Sequence, residues 1–456
     1  MSDSTTLCVL GGTGDLASRL LLPALGDLLD QEPDRKVRLV GVDREDVSDE
    51  DWREQVRAAF ERGDAAGPAV DEVLAATRYI RADVTQPHDL AAVLKAGDDR
   101  IALYFALPPA VTAKACTALE SLDLPDGLVL ALEKPFGVDE DSARALNAQL
   151  AKLVPENQVH RIDHFLGRST VLNVLGVRFA NRVLEPVWSA DHIHSVLIRY
   201  DETLGLEDRA GYYDHAGALV DMIQSHLLQV LAIVAMEPPA TLGEADLREA
   251  KSDVLQATRV WQDDPAGSSR RARYTAGTAG GVELPSYADA KGVDPSRHTE
   301  TLAEVTFEVD TPRWRGVPFT LRSGKALGEH LREMVIRFQP VPNLPAGFTG
   351  TSEPSVLRLM LGPDRMALEL NVNGPGDPFA LERVTMSCDL GPGALTAYGE
   401  VLAGVLDGDP TLSVRGDTAE DCWHIVQPVL DAWKRGDVAL DEYPAGSSGP
   451  ADWPQP

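Results

Sequence analysis

The sequence is poor in three things that often announce function. Cysteine is scarce: there are four in 456 residues, Cys8, Cys116, Cys388 and Cys422. They lack the spacing of a disulfide framework or a metal cluster, so no bound metal is expected, and a reduced, cytoplasmic setting is. Positive charge is scarce: 42 Lys and Arg face 71 Asp and Glu, for a net charge of −29. A chain so charged repels nucleic acid and anionic membrane surfaces, and neither is expected as a partner. Long apolar runs are missing as well. None reaches the ~18 residues of a membrane span, and the N-terminal stretch reaches a strand-like run by Leu7 without the basic start of a secretory signal.

What remains is a globular chain, 44% hydrophobic and too long for one ordinary core, so two domains are expected. Short β-rich runs at Thr6 to Leu10, Val37 to Val42, Ile101 to Ala106 and Leu128 to Leu132 alternate with helical patterns such as Leu16 to Leu29 and Ala110 to Leu122. That alternation predicts a doubly wound α/β, Rossmann-like domain over residues 1–163. A helical stretch, Thr170 to Arg182, and a strand at His194 to Tyr200 open the second domain. A long apolar helix follows from about Tyr213 to Met236. Strand-like runs then dominate: Leu302 to Val309, Phe319 to Arg322, Glu333 to Phe338, Val356 to Leu361 and Met366 to Val372. They predict an α+β domain over 164–442 with a large, mainly antiparallel sheet. Residues 263–300 read as exposed loops, and 443–456, rich in Pro and Gly, as a disordered tail. No internal repeat is evident.

The first strand runs into Gly11-Gly12-Thr13-Gly14-Asp15-Leu16-Ala17. Small residues at a turn that opens a helix let backbone amides approach a pyrophosphate. Gly11, Gly14, Asp15 and Leu16 are therefore candidate coenzyme contacts. The second strand ends in Asp43-Arg44. An acid there favours the ribose hydroxyls of NAD, and an arginine favours the 2′-phosphate of NADP, so both coenzymes stay open. Lys134, in Glu133-Lys134-Pro135-Phe136-Gly137, lies at the carboxyl end of a parallel strand, where such sheets bind ligands. Tyr287-Ala288-Asp289-Ala290-Lys291 fits a Y-x-x-x-K dehydrogenase motif, but it falls in a polar stretch far outside the first domain and is discounted.

Residues 161–168, Arg-Ile-Asp-His-Phe-Leu-Gly-Arg, crowd an acid, an imidazole and two guanidinium groups into eight positions. Such a cluster is costly to bury unless it forms a site. Asp163 and His164 are neighbours and point apart on an extended chain, so Asp163 needs another histidine. His226, in Asp221-Met222-Ile223-Gln224-Ser225-His226-Leu227, is the strongest candidate, although a lone histidine on an apolar helix is commonly just core.

The octapeptide resembles the R-I-D-H-Y-L-G-K stretch of glucose-6-phosphate dehydrogenases. The same family carries E-K-P-F-G, R-F-A-N (here Arg178 to Asn181), G-Y-F-D (here Gly211 to Asp214), D-x-x-x-x-H-L and G-V-P-F-x-L-R-x-G-K (here Gly316 to Lys325). The resemblance covers roughly residues 5 to 440. It implies oxidation of glucose 6-phosphate at C1 with hydride transfer to NADP, in a homodimer or homotetramer. By that resemblance His226 is the catalytic base with Asp163 behind it. Lys134 serves both sugar and coenzyme, Glu202 and Asp221 hold sugar hydroxyls, and His164, Arg168 and Lys325 gather around the 6-phosphate. Arg44 binds the 2′-phosphate. Phe165 and Arg168 replace the family's tyrosine and lysine, which leaves another hexose 6-phosphate or a 6-sulfonated sugar open. A paralogue that binds nucleotide without catalysis is the reading of a different class.

Overall fold

The computed structural model describes residues 4–97, 100–206, 210–391 and 393–453. The chain divides into two compact units. The first holds residues 1–168, 239–249 and 393–420, and the second holds 169–238, 250–392 and 421–456.

In the first unit, six parallel strands follow the order Val159–Ile162, Val129–Glu133, Arg100–Phe105, Thr5–Leu10, Val37–Asp43, Arg78–Arg81. This is the doubly wound arrangement expected from the alternating pattern. Thr5–Leu10 is buried along its whole length, as a central parallel strand covered on both faces must be. The strand order reverses between Thr5–Leu10 and Arg100–Phe105, and ligands bind such sheets outside the carboxyl ends at that point. A short strand, Ser413–Val414, adds antiparallel to Val159–Ile162 at the edge.

That edge strand corrects the expected domain boundaries. Residues 393–420 return to the first unit because the helix Ala397–Asp407 buries Val401, Leu402, Val405 and Leu406 among Leu7, Leu25 and Ile162. The Thr5 hydroxyl also donates to the Leu406 carbonyl at 3.1 Å.

The second unit carries an eleven-stranded mixed sheet. Most neighbours are antiparallel, but Ile193–Asp201 runs parallel to Phe319–Gly324. Against the sheet lies a helical run from Ala210 to Ala235, long and apolar enough to cross a membrane, yet 89% of its most apolar window is buried inside the protein. It is a core helix. Residues 263–300, expected as loops, include the sheet strand Ser269–Thr275 and the buried Tyr287. The expected disordered tail is likewise corrected. Leu440–Pro444 pairs parallel with Ser269–Thr275, Tyr443 is fully buried, and the buried Trp453 donates Nε1–H to Asp441 at 2.9 Å. Aromatic burial outweighs the Pro and Gly composition there. Residues 454–456 lie outside the described residues.

Candidate active site

In the first unit, the turn after Thr5–Leu10 depends on glycine for two reasons. Gly11 has φ +86°, and a Cβ there would sit 2.3 Å from the Ala106 carbonyl oxygen. The amides of Gly11 and Gly12 donate to the Val42 carbonyl at 2.8 and 3.1 Å, which clamps the turn to the next strand. Asp15 and Leu16 then open the helical stretch that continues through Ala17–Leu21 and Leu22–Gln31. Backbone N–H groups at such a start favour an anion. Asp15 itself is exposed and pairs with Arg19 at 3.3 Å.

At the end of Val37–Asp43, the two candidate selectors differ in what they touch. The Asp43 carboxylate accepts from the Thr13 hydroxyl at 2.6 Å and from the Arg44 amide at 2.8 Å, so it braces the turn. The Arg44 side chain is 82% exposed, and Glu45, at 3.7 Å, is a loose partner.

Lys134 follows Val129–Glu133, and its bond to Pro135 is cis. Beside it, burial raises the Glu133 carboxyl to about 7, against the opposing pull of the Tyr104 hydroxyl and Lys134. Asp163 follows the adjacent strand, Val159–Ile162. It is buried, and its carboxylate caps the short helix His164–Gly167 by accepting from the Phe165 amide at 3.0 Å. His164 stacks on Tyr398, with ring centroids 5.3 Å apart. The Arg168 guanidinium lies over the Phe165 ring, 4.6 Å from its centroid. Arg161, also in the octapeptide, is occupied structurally: it is buried, bonding Glu156 at 2.8 Å and Asn147 at 2.7 Å.

In the second unit, three strand ends converge. Gly324 and Leu331 both lie opposite Asp201 in the sheet register, which brings Glu202, Lys325 and Arg332 together. The Lys325 ammonium donates to Glu202 Oε2 at 2.9 Å, and Arg332 donates to Oε1 at 3.2 Å. Arg332 also covers the Tyr200 ring at 4.4 Å, and Lys325 lies 5.3 Å from the centre of the Tyr213 ring. Two cations on one carboxylate leave a net positive group, suited to an anion.

Asp221 and His226 occupy Leu219–Leu227, a π-helical segment nine residues long. Both are buried, at 4% and 1% exposure. In an α-helix, residues five apart lie about 140° apart around the axis. The i→i+5 register of a π-helix stacks them instead, so Asp221 and His226 share a face. The Tyr212 hydroxyl donates to Asp221 at 3.4 Å.

The structure thus divides the thirteen candidate residues between its units. Gly11, Gly14, Asp15, Leu16, Arg44, Lys134, Asp163, His164 and Arg168 lie in the first, and Glu202, Asp221, His226 and Lys325 in the second. Arg332 and Tyr398 escaped the sequence reading. Arg332 stands near the start of the strand Leu331–Phe338, with no motif around it, and Tyr398 reaches His164 across more than two hundred residues of sequence. Tyr287 of the discounted motif is buried, and its hydroxyl donates to Asp214 at 2.8 Å. Burial and that carboxylate push its pKa up, which removes it as an acid–base group.

Residues 8–173 match the family described as glucose-6-phosphate dehydrogenase, NAD binding domain, and residues 175–455 match its C-terminal domain. A glucose-6-phosphate 1-dehydrogenase of Gluconobacter oxydans is 40% identical over 97% of this chain and 94% of that protein. A solved glucose-6-phosphate 1-dehydrogenase from Mycobacterium avium superposes with a TM-score of 0.86 at 33% identity, covering 99% of this chain and 96% of the other. A glucose-6-phosphate dehydrogenase solved with its substrate glucose-6-phosphate also gives 0.86, at 29% identity, covering 99% and 96%.

Proposed function

The chain belongs to the glucose-6-phosphate dehydrogenase family, and from that premise we propose that it oxidises glucose 6-phosphate at C1 to the 6-phosphogluconolactone, with NADP as the preferred coenzyme. A nicotinamide coenzyme, when bound, accepts the hydride from C1. The protein's own part is to take a proton and hold charge. His226 removes the C1 hydroxyl proton, work suited to a group whose ordinary pKa is ~6.5. Asp163 orients the imidazole and stabilises the imidazolium. Glu202 and Asp221 hold sugar hydroxyls. Lys325, His164 and Arg168 hold the 6-phosphate, and Lys134 serves both ligands.

The observation that carries the family's substrate class to this chain is the Glu202–Lys325–Arg332 group, which presents two cations against one carboxylate in a protein of net charge −29. The preference for NADP rests on the exposed Arg44 guanidinium beside an Asp43 already engaged by Thr13 and the Arg44 amide. Gly11, Gly14, Asp15 and Leu16 would hold the pyrophosphate. Initial rates with glucose 6-phosphate and each coenzyme test this reading. NADP should give the higher kcat/KM, and Arg44→Ala should raise KM for NADP far more than for NAD. An enzyme using NAD alone would transfer the ribose contact to Asp43.

Two further assignments complete the proposal. The protein is cytoplasmic, in keeping with four cysteines whose scattered positions have no disulfide spacing. It forms a homodimer or homotetramer through the second unit's sheet, where Val372, Phe379 and Met386 are exposed on adjoining strands or their connection. Sedimentation equilibrium distinguishes the two states.

A further inference from the structure

The helix that carries Asp221 and His226 does not begin freely. At Gly217 the backbone turns to φ +65° and ψ 179°, which breaks the helical run. A new helix start has amides without intrahelical acceptors. Here one residue from a distant segment supplies two acceptors: the Ala218 amide donates to the Glu300 carbonyl at 3.3 Å, and the Leu219 amide donates to Glu300 Oε1 at 3.0 Å. A Cβ at Gly217 would lie 2.3 Å from that same Oε1, so the carboxylate is seated against the bare Cα.

The flanking residues extend the hold in both directions. The Thr299 hydroxyl donates to the Asp214 carbonyl at 2.7 Å, in the helix before the break. The Thr301 carbonyl accepts from the Lys325 amide at 2.8 Å. The Thr301 and Tyr443 hydroxyls are 2.9 Å apart, and Tyr443 donates to the Lys325 carbonyl at 2.6 Å. Tyr443 comes from the chain's C-terminal strand. Glu300 is only 7% exposed.

We propose that Thr299-Glu300-Thr301 is a brace that fixes the helix of Asp221 and His226 relative to Lys325, with Glu300 a positioning residue for the base and Tyr443 one for Lys325. The proposal rests on His226 being the base, and its test separates the two.

Four proteins are compared in steady-state assays: the parent, Glu300→Ala, His226→Ala and the double variant, with Glu300→Gln alongside. Misplacing a catalytic group by a fraction of an ångström is expensive, so Glu300→Ala should lower kcat by about tenfold or more while KM for the coenzyme holds. Glu300→Gln keeps an oxygen that accepts from Leu219 and should remain within about threefold of the parent. In the His226→Ala background, Glu300→Ala should add little, because residues acting through one another are not additive.

A full loss from Glu300→Ala in that background overturns the proposal alone. So does a loss in Glu300→Gln as large as in Glu300→Ala, or an unchanged kcat in a folded Glu300→Ala. Near-normal turnover of His226→Ala overturns the base assignment and the proposal with it. Should Glu300→Ala fail to fold, Tyr443→Phe tests the other arm: KM for glucose 6-phosphate should rise severalfold, and unchanged constants overturn the brace.

Discussion

His226 shows why residue type and position must be judged together. It is 1% exposed on a helical run whose neighbours Leu227, Leu228, Val230 and Leu231 are core, so burial alone would class it as packing. What sets it apart is the π-helical register, which puts it on one face with the buried acid Asp221, and the proposed role as base rests on that setting. His226→Ala should lower kcat by ~10²–10⁴-fold, the usual loss on removing a general base. The dissociation constant for glucose 6-phosphate should change little. Asp163→Asn should lose rate by the same route, since an amide does not stabilise an imidazolium. Stopped-flow or steady-state rates together with equilibrium binding decide both. Arg168 is the second case at this scale. Hydrogen bonds to a charged group contribute ~1.5–3 kcal/mol, so Arg168→Ala should weaken glucose 6-phosphate binding roughly ten- to a hundredfold. Arg168→Lys should lose less. Because the guanidinium also covers the Phe165 ring, unphosphorylated glucose serves as the control. An equal loss with glucose would mean that Arg168 supports the fold around Phe165 rather than an anion.

Among the elements, legibility followed sequence distance. Four strands of the first sheet are legible because each is a local β-rich run bounded by turn residues, whereas the short Arg78–Arg81, Val159–Ile162 and Ser413–Val414 are not, and Gly11 announces a tight turn through its neighbours. The helix Ala397–Asp407 was not visible as part of the first unit, since its apolar face says only that it packs, not where. Its partners Leu7, Leu25 and Ile162 lie hundreds of residues upstream. The π-helical register was equally hidden, because an apolar stretch reads the same at either pitch. The candidate site was legible where charge and glycine are concentrated, and illegible at Arg332 and Tyr398, which act through strand register and a distant helix. The helix Ala397–Asp407 makes a direct test. Leu402 is 1% exposed, and Leu402→Ala should destabilise the first unit by ~2–5 kcal/mol. Urea unfolding, followed by Trp52 fluorescence after the other tryptophans are replaced, reads that unit. No shift in midpoint would show that the helix is dispensable to the core.

For the whole molecule, acidity is the dominant condition. Most of the 71 acids are solvated, but Glu300 is not, and burial raises its carboxyl to about 7. The folded state therefore holds a proton there that the unfolded chain has already released above its ordinary pKa of ~4.3. The stability from Glu300 is fully present below that value and is lost as pH rises through about 7. Thermal unfolding from pH 4.5 to 8 should show the parent losing stability relative to Glu300→Gln as pH rises. Parallel curves would mean that Glu300 titrates normally.

The two late segments also set a timetable. Chains are made from the N-terminus, and domains tend to fold as they emerge. The first unit lacks its helix Ala397–Asp407 and edge strand Ser413–Val414 until that late stretch is synthesised. The second lacks Leu440–Pro444, the strand that brings Tyr443 to Lys325, until those residues are made. Both units depend on late segments, so a ribosome-tethered chain halted at Gly391 should be digested by protease in both. Each half of this protein closes only when a segment beyond residue 392 has been made, so an interrupted message should yield two unfinished halves rather than one finished domain.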